Sequence, residues 1–403
     1  MSPIAPRSRG YMALLVALSS FGPLTMSIYT PVMPSVGTDL GAVAGDVKLT
    51  LTTYMLGFAV GQLFYGPLSD RYGRRPVLLG GLVFFTVASA ACALAGSIGD
   101  LIVLRVIQGL AAASGGVLGR ALARDVYDFK EMALVMSWVG LGINFSPAIA
   151  PSLGGLMAEW FGWRSSFWVV AGFGAILCAV VALGYGETNR HRSEALNLAG
   201  LLRGSGEMLG DRRFLGFVLT LGFAFALNFG MLAGTPFILQ EQLGFSPREF
   251  GLIVLLSVGG FTLGGVANNR LIGRVAPTSI LRWGVWCHVA ALVAMAAVAQ
   301  LGPLAWWMVI APHMLISFGS GMLVPNTLAG AVGLYPKLAG TASSWAGLSQ
   351  MGVGALGTVA VVLVEATGAV ASPATALAVA LAPFAAIGLY TSGLARPRPG
   401  GDL

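Results

Sequence analysis

The sequence predicts an all-α polytopic membrane protein: twelve transmembrane helices in two pseudo-symmetric six-helix bundles, with both termini cytoplasmic. Three observations predict it. The 403 residues are 56% hydrophobic and 10% charged, whereas soluble domains carry about 25% charged residues. The apolar residues gather in runs of bilayer length, without the period-2 alternation of a barrel strand. Short charged segments separate the runs, and the longest of them divides the chain into near-equal halves. Mean hydropathy is +0.81, and no soluble fold could bury that much apolar surface.

Taken in order, the first run (11–33) follows Arg7 and Arg9. It is long enough to span and has no clear small-residue cleavage site, so no removable signal is expected. The second (48–69) ends in the loop Gly66-Pro67-Leu68-Ser69-Asp70-Arg71-Tyr72-Gly73-Arg74-Arg75-Pro76, with one acid and three arginines in eleven residues. Pro76 is well placed as an early residue of the third run, 76–95. The fourth (101–123) holds Arg105, the fifth (133–158) holds Pro147 and Pro151, and the sixth is 164–186. A polar linker (187–213) follows the first bundle (1–186) and precedes the second (214–403). That second bundle contains runs 214–238, 249–268, 278–300, 304–328, 339–364 and 372–394.

Charge supplies the orientation. With the Asp70 loop inside, alternation places nineteen of the 23 Lys and Arg on the cytoplasmic side. Only Lys48, Arg105, Arg164 and Arg248 fall on the outer side or outer half. This is the bias that orients membrane helices, so the net charge of +7 reads as topology rather than nucleic-acid binding. The halves also echo each other: Gly66-x3-Asp70-Arg71-x-Gly73-Arg74 has a degenerate copy in Gly265-x3-Asn269-Arg270-x2-Gly273-Arg274. The copy has Asn for Asp and one extra residue. Such six-plus-six repeats build many secondary transporters, with substrate bound between the halves. The 57 glycines suit close helix packing in lipid. Cys92, Cys178 and Cys287 lie in apolar runs and read as small apolar fillers.

Several residues carry candidate chemistry. Asp70 sits beside the start of the third helix, where a carboxylate can favour helix-end amides; with Gly66, Arg71, Gly73, Arg74 and Arg75 it reads as a cytoplasmic latch, against plain topology. Arg105 shares a face with Gln108 and reads as a cavity charge, against an interfacial residue snorkelling outward. The prolines Pro147 and Pro151 bend the fifth helix, and Gly154 and Gly155 offer it a smooth surface. Polar stripes mark the seventh helix (Thr220, Asn228, Thr235), the tenth (His313, Ser317, Ser320, Thr327) and the eleventh (Ser343, Gln350), and should face a cavity or another helix. His313 is the better placed intramembrane histidine for titration, ahead of His288. Met26, Tyr29, Asn144, Phe145, Asn228, Ser317, Asn326 and Gln350 are candidate cavity residues. Trp345, Trp306 and Trp307 suit interfacial anchoring.

Together the motifs carry a resemblance. The Asp70 loop resembles the loop signature of the major facilitator superfamily. Arg105-Val-Ile-Gln108-Gly109 resembles its fourth-helix motif, and Ala150-Pro151-Ser-Leu-Gly154-Gly155 the fifth-helix motif of its antiporters, with Ala where Gly is usual. Tyr29-Thr-Pro31-Val-Met-Pro34, Arg124-Asp125, Pro325-Asn326 and Ala339-Gly340-Thr-Ala342-Ser343 are similar to Bcr/CflA-type drug exporters. The resemblance implies a monomeric, proton-coupled exporter of small amphiphilic drugs or metabolites in the bacterial inner membrane, with the fifth helix governing gating. The subfamily often has Asp where this chain has Ser27, and no acid lies in the middle of any span. A metabolite importer or symporter, a channel and a membrane-embedded enzyme are the competing readings. The chain has no phosphate loop and no His-Glu-x2-His, so no ATPase engine, metal or cofactor is expected.

Overall fold

The computed structural model describes residue 5 and residues 7–189, 198–370 and 372–395, excepting the side chains of 129–130, 133, 144, 198–203 and 337. Twelve long helices run through it: α1 (Arg9–Tyr29), α2 (Ala44–Tyr72), α3 (Arg74–Ala93), α4 (Ile98–Val126), α5 (Phe129–Phe161), α6 (Arg164–Gly184), α7 (Arg212–Phe237), α8 (Pro247–Leu271), α9 (Pro277–Val298), α10 (Trp307–Leu334), α11 (Ala339–Ala366) and α12 (Pro373–Leu394). The chain divides into two compact units. The first holds residues 1–197 with Ser246–Leu252, and the second holds Leu198–Phe245 with Ile253–Leu403.

Two helices are longer than their apolar runs. α1 continues through a 3₁₀ turn at Thr30–Val32 into Met33–Leu40 and stops at Gly41, whose φ of 61° ends the helix at no steric cost. α7 continues through a π turn, Ile238–Gln242. Among the described residues, eleven helices are long and apolar enough to cross a membrane. The second is not among them, because Lys48, Thr50, Thr52 and Gln62 dilute its apolar content. All four are buried, so these polar groups are turned into the bundle and not toward lipid.

Part of the predicted linker is also structured. The helix Leu198–Gly210 groups with the second unit, and Met208 is buried with Phe214, Phe217 and Ala342. Trp345 is half-buried and donates to Ser205 Oγ of that helix at 3.0 Å. Trp306 and Trp307 are 41% and 43% exposed, as anchors require.

Glycine sets the helix spacing. A Cβ on Gly109 of α4 would strike the Tyr54 carbonyl of α2, and one on Gly57 of α2 would strike the Val106 carbonyl of α4. In the second unit Gly284 of α9 and Gly319 of α10 face each other's carbonyls in the same way. Backbones this close gain dispersion contacts that larger side chains would prevent. Gly109→Leu is therefore expected to destabilise the protein by about 1–3 kcal/mol, the usual cost of overpacking. Gly116→Leu, where the added group meets open space, should stay within about 0.5 kcal/mol. Thermal unfolding of the two variants in detergent checks the difference.

Candidate functional site

The Asp70 loop is built from the end of α2 inward. α2 stops at Gly73, whose φ of 99° lies where side chains are strained, and α3 starts at the next residue. Within this turn Arg74 NH1 donates to Asp70 Oδ1 at 2.5 Å and to Ser69 Oγ at 2.6 Å. Its Nε donates to Asp125 Oδ2, at the end of α4, at 3.0 Å. Thr188 Oγ1 donates to the same Asp125 oxygen at 3.1 Å. One guanidinium thus ties α2, α3 and α4 at one end of the first unit.

The carboxylate on the α3 amides is Glu187, and not Asp70. Glu187 Oε1 accepts from Arg74 N at 2.9 Å and Oε2 from Arg75 N at 3.1 Å. These are the unfilled donors of a helix start, where a negative charge also meets the favourable end of the helix dipole. Asn189 Nδ2 donates to the Ser69 and Asp70 carbonyls, and its backbone N to Glu187 Oε1. Arg75 NH2 donates to the Ala182 carbonyl of α6 at 2.8 Å. The exit of α6 is therefore fastened to the loop by four residues. Glu187, Asn189 and the ionic part of Asp125 were not singled out from sequence. A carboxylate immediately after a predicted helix end carries no pattern of its own.

Arg105 is wholly buried, which removes the snorkelling reading. Its NH1 donates to Gln108 Oε1 at 2.6 Å, one turn along α4, and its Nε to the Thr50 carbonyl of α2 at 3.3 Å. Gln108 Nε2 donates to Ser89 Oγ of α3 at 2.8 Å. Arg105 NH2 has no hydrogen-bond partner. Instead the guanidinium lies over Tyr54 at 4.2 Å, Tyr29 at 4.6 Å and Phe167 at 5.8 Å from the ring centroids. Tyr29 is held by a 2.7 Å hydrogen bond with Thr50 Oγ1, and Tyr54 OH donates to the Gly22 carbonyl at 2.9 Å. Desolvated cation–π pairs contribute about 2 kcal/mol or more. Three rings offset a charge that has no carboxylate partner among the described residues. Tyr29 is thus a wall of this cage, not the open cavity wall expected for it, and Tyr54 and Phe167 join it.

In the second unit the polar network forms around His288. Its Nε2 lies 3.0 Å from both Ser320 Oγ and the Ile316 carbonyl of α10. Asn228 Nδ2 of α7 donates to Ser320 Oγ at 2.8 Å and to the Ala224 carbonyl. His313 is buried with its Nδ1 unpartnered, so the structure joins the other histidine to the α7 and α10 stripes. Asn326 bonds the Asn268 side chain at 2.7 Å, linking α10 to α8. Ser317 and Met26 are buried, Gln350 is half-buried, and Phe145 is 59% exposed. The Asn144 side chain lies outside the described residues.

The model of the family described as Major Facilitator Superfamily matches residues 15–358. That span takes in the Asp70 loop, Arg105 and the prolines of α5. The chain belongs to the major facilitator superfamily. It is 31% identical to multidrug resistance protein D of Escherichia coli over 89% of this chain and 90% of that protein. It is also 31% identical to a chloramphenicol resistance protein of Pseudomonas aeruginosa, over 87% of this chain and 84% of that one. Among solved structures, a D-xylose–proton symporter superposes with a TM-score of 0.77 over 96% of this chain and 97% of its own, at 15% identity. At that identity the likeness concerns the fold.

As a superfamily member the chain is a multi-pass membrane transporter and not an enzyme, consistent with antibiotic-resistance relatives related to Bcr/CflA-type exporters. Its α5 runs unbroken through Pro147 and Pro151. A Cβ on Gly154 would strike the Ile28 carbonyl of α1, and one on Gly155 the Pro247 carbonyl. The residues 246–252 that supply this last contact group with the first unit. The glycines of the motif therefore set packing distances, as expected. At the opposite end of this unit from the Asp70 loop, Asp39 Oδ2 accepts from Trp163 Nε1 at 3.0 Å and from Arg164 NH1 at 2.5 Å.

The Glu187 clamp has a local readout. Glu187→Gln should leave the helices intact while raising hydrogen exchange at the Arg74 and Arg75 amides by about fivefold, the upper worth of a carboxylate at a helix start. Exchange mass spectrometry of the peptide spanning Gly73–Pro76 checks it; unchanged exchange would mean the clamp holds nothing.

Proposed function

We propose that the chain exports small amphiphilic drugs or metabolites across the bacterial inner membrane in exchange for protons, as a monomer, by alternating access of two six-helix bundles with both termini cytoplasmic. The observation that carries this reading is the 31% identity, over nearly the full length of both chains, to proteins named for drug resistance. The Pro151-to-Gly155 motif of α5 favours export over import.

The proton has few places to sit. The described Asp and Glu all lie at helix ends, in the short linker helix or in connecting segments. Arg105, caged by three rings, is poorly suited to release a proton because guanidinium stays charged. That leaves histidine as the group whose charge changes near neutral pH. His288, bonded to Ser320 and through it to Asn228, is the better candidate: protonation there would recruit or break bonds that tie α9, α10 and α7. The Asp70 loop serves as the latch, with Arg74 as its shared cation.

Everted vesicles with an imposed pH gradient test the reading. Adding chloramphenicol or a related amphiphile should dissipate the gradient, and a protonophore should abolish uptake; transport indifferent to the protonophore defeats proton coupling. His288→Gln is expected to flatten the pH profile of transport more than His313→Gln does. Asp70→Asn should cut transport at equal surface expression; full activity would reduce the loop to a topology marker.

A further inference from the structure

The degenerate copy of the Asp70 loop leaves a charge unexplained. In the first unit the arginines of the loop meet Asp70, Asp125 and Glu187. In the second, Asn269 replaces the acid, and no Asp or Glu occurs anywhere between Glu249 and Glu365. Arg270, Arg274 and Arg282 fall in that stretch, and none of them forms an ion pair among the described residues. Arg270 and Arg274 are exposed on the last turn of α8 and the loop beyond it.

Arg282 is placed differently. It lines a cleft of about 220 Å³ with Ser279, Trp283 and Trp286. These four residues of α9 follow i, i+3, i+4, i+7 spacing, so they share one face of the helix. The opposite face, with Ile280, Leu281, Val285 and His288, is the buried one. Trp283 and Trp286 are 45% and 51% exposed, and Arg282 Nε is buried with no hydrogen-bond partner among the described residues. The site begins at Ser279, two residues into a helix that starts at Pro277, and Arg282 lies about 7.5 Å along the axis from that start. In a span, this is the depth at which headgroups meet acyl chains, and it is where tryptophan settles.

We propose that this cleft binds the phosphodiester headgroup of an anionic phospholipid. The guanidinium fork suits phosphate oxygens, and the Ser279 hydroxyl can donate to a third. The two indoles offer apolar faces to the glycerol and upper acyl chain. Arg270 and Arg274 add attraction from the same end of α8. The exposed tryptophans on a membrane helix select a lipid over a free phosphate ion: the occupant needs an apolar body below its charge. The lipid anion would thus supply in the second unit the negative charge that Asp125 and Glu187 supply in the first.

The full chain, purified and delipidated, can be titrated by native mass spectrometry with phosphatidylglycerol, phosphatidylcholine and inorganic phosphate in turn. Wild type should bind phosphatidylglycerol in preference to phosphatidylcholine, and millimolar phosphate should not displace it. Arg282→Gln should weaken phosphatidylglycerol binding by about fivefold, the worth of one basic residue near an anionic surface, while phosphatidylcholine binding stays unchanged and reports an intact fold. Trp283→Ala with Trp286→Ala should weaken it as well, at retained phosphate charge. Equal binding of the two lipids by wild type, displacement by phosphate, or full phosphatidylglycerol preference in Arg282→Gln would each overturn the proposal.

Discussion

A bilayer offers no water to a buried charge, and the arginines of this chain are placed by what replaces that water. Leaving a guanidinium unpaired in an apolar interior costs several kcal/mol, which is more than any single packing contact returns. Arg74 meets the constraint at the edge of the first unit, where Asp70 and Asp125 reach it and solvent still screens the set. Arg105 meets it in the interior with π faces, a carbonyl and an amide. The second solution demands far more of its surroundings. Tyr29, Tyr54 and Phe167 come from three different helices, and two of the rings are held in turn by hydrogen bonds to Thr50 and the Gly22 carbonyl. The cage is therefore also a device that fixes α1, α2, α4 and α6 to one another.

The close backbone approaches serve the same end. Arg105 reaches the Thr50 carbonyl only because α2 lies against α4, and that distance is set by Gly57 and Gly109. Polar groups on α2 would be a liability toward lipid; Thr50, turned into the bundle, instead supplies a carbonyl to Arg105 and a hydroxyl to Tyr29. Composition, helix spacing and charge placement are thus one problem, solved together along the α2–α4 seam.

Much of this was legible in the sequence. Apolar run length located all twelve helices, since span length is imposed by the bilayer and not by neighbours. The repeat and the Asp70 loop were readable because charge is rare here and stands out. What hydropathy does not carry is azimuth. Tyr29 looked like a cavity wall and is part of a cage. His313 looked like the titrating histidine, and His288 holds the network. Trp345 looked like an anchor and bonds Ser205. In each case the direction of the side chain is decided by neighbours on other helices, which a pattern along one helix does not record. The α1 extension escaped for a different reason: Gly37 and Thr38 lower the local hydropathy, yet nothing breaks the helix before Gly41.

The two copies of the loop show how a repeat diverges under this constraint. At an offset of 199 residues, Ser69 corresponds to Asn268 and Asp70 to Asn269. The first copy ties α2 to α4 through Arg74 of α3, which pairs with both Asp70 and Asp125. The second ties α8 to α10 through the neutral bond of Asn268 with Asn326, between helices that occupy the same places in their half. An amide pair needs no counter-charge and no solvent, so Asn268 and Asn326 can both be buried, where an ion pair would lose most of its attraction to desolvation. Among the described residues, Arg270 and Arg274 of the second copy form no ion pair. The same helix junction is thus an ionic tie in one half and a neutral one in the other. Of the two junctions, only the ionic one depends on charge and is screened by salt.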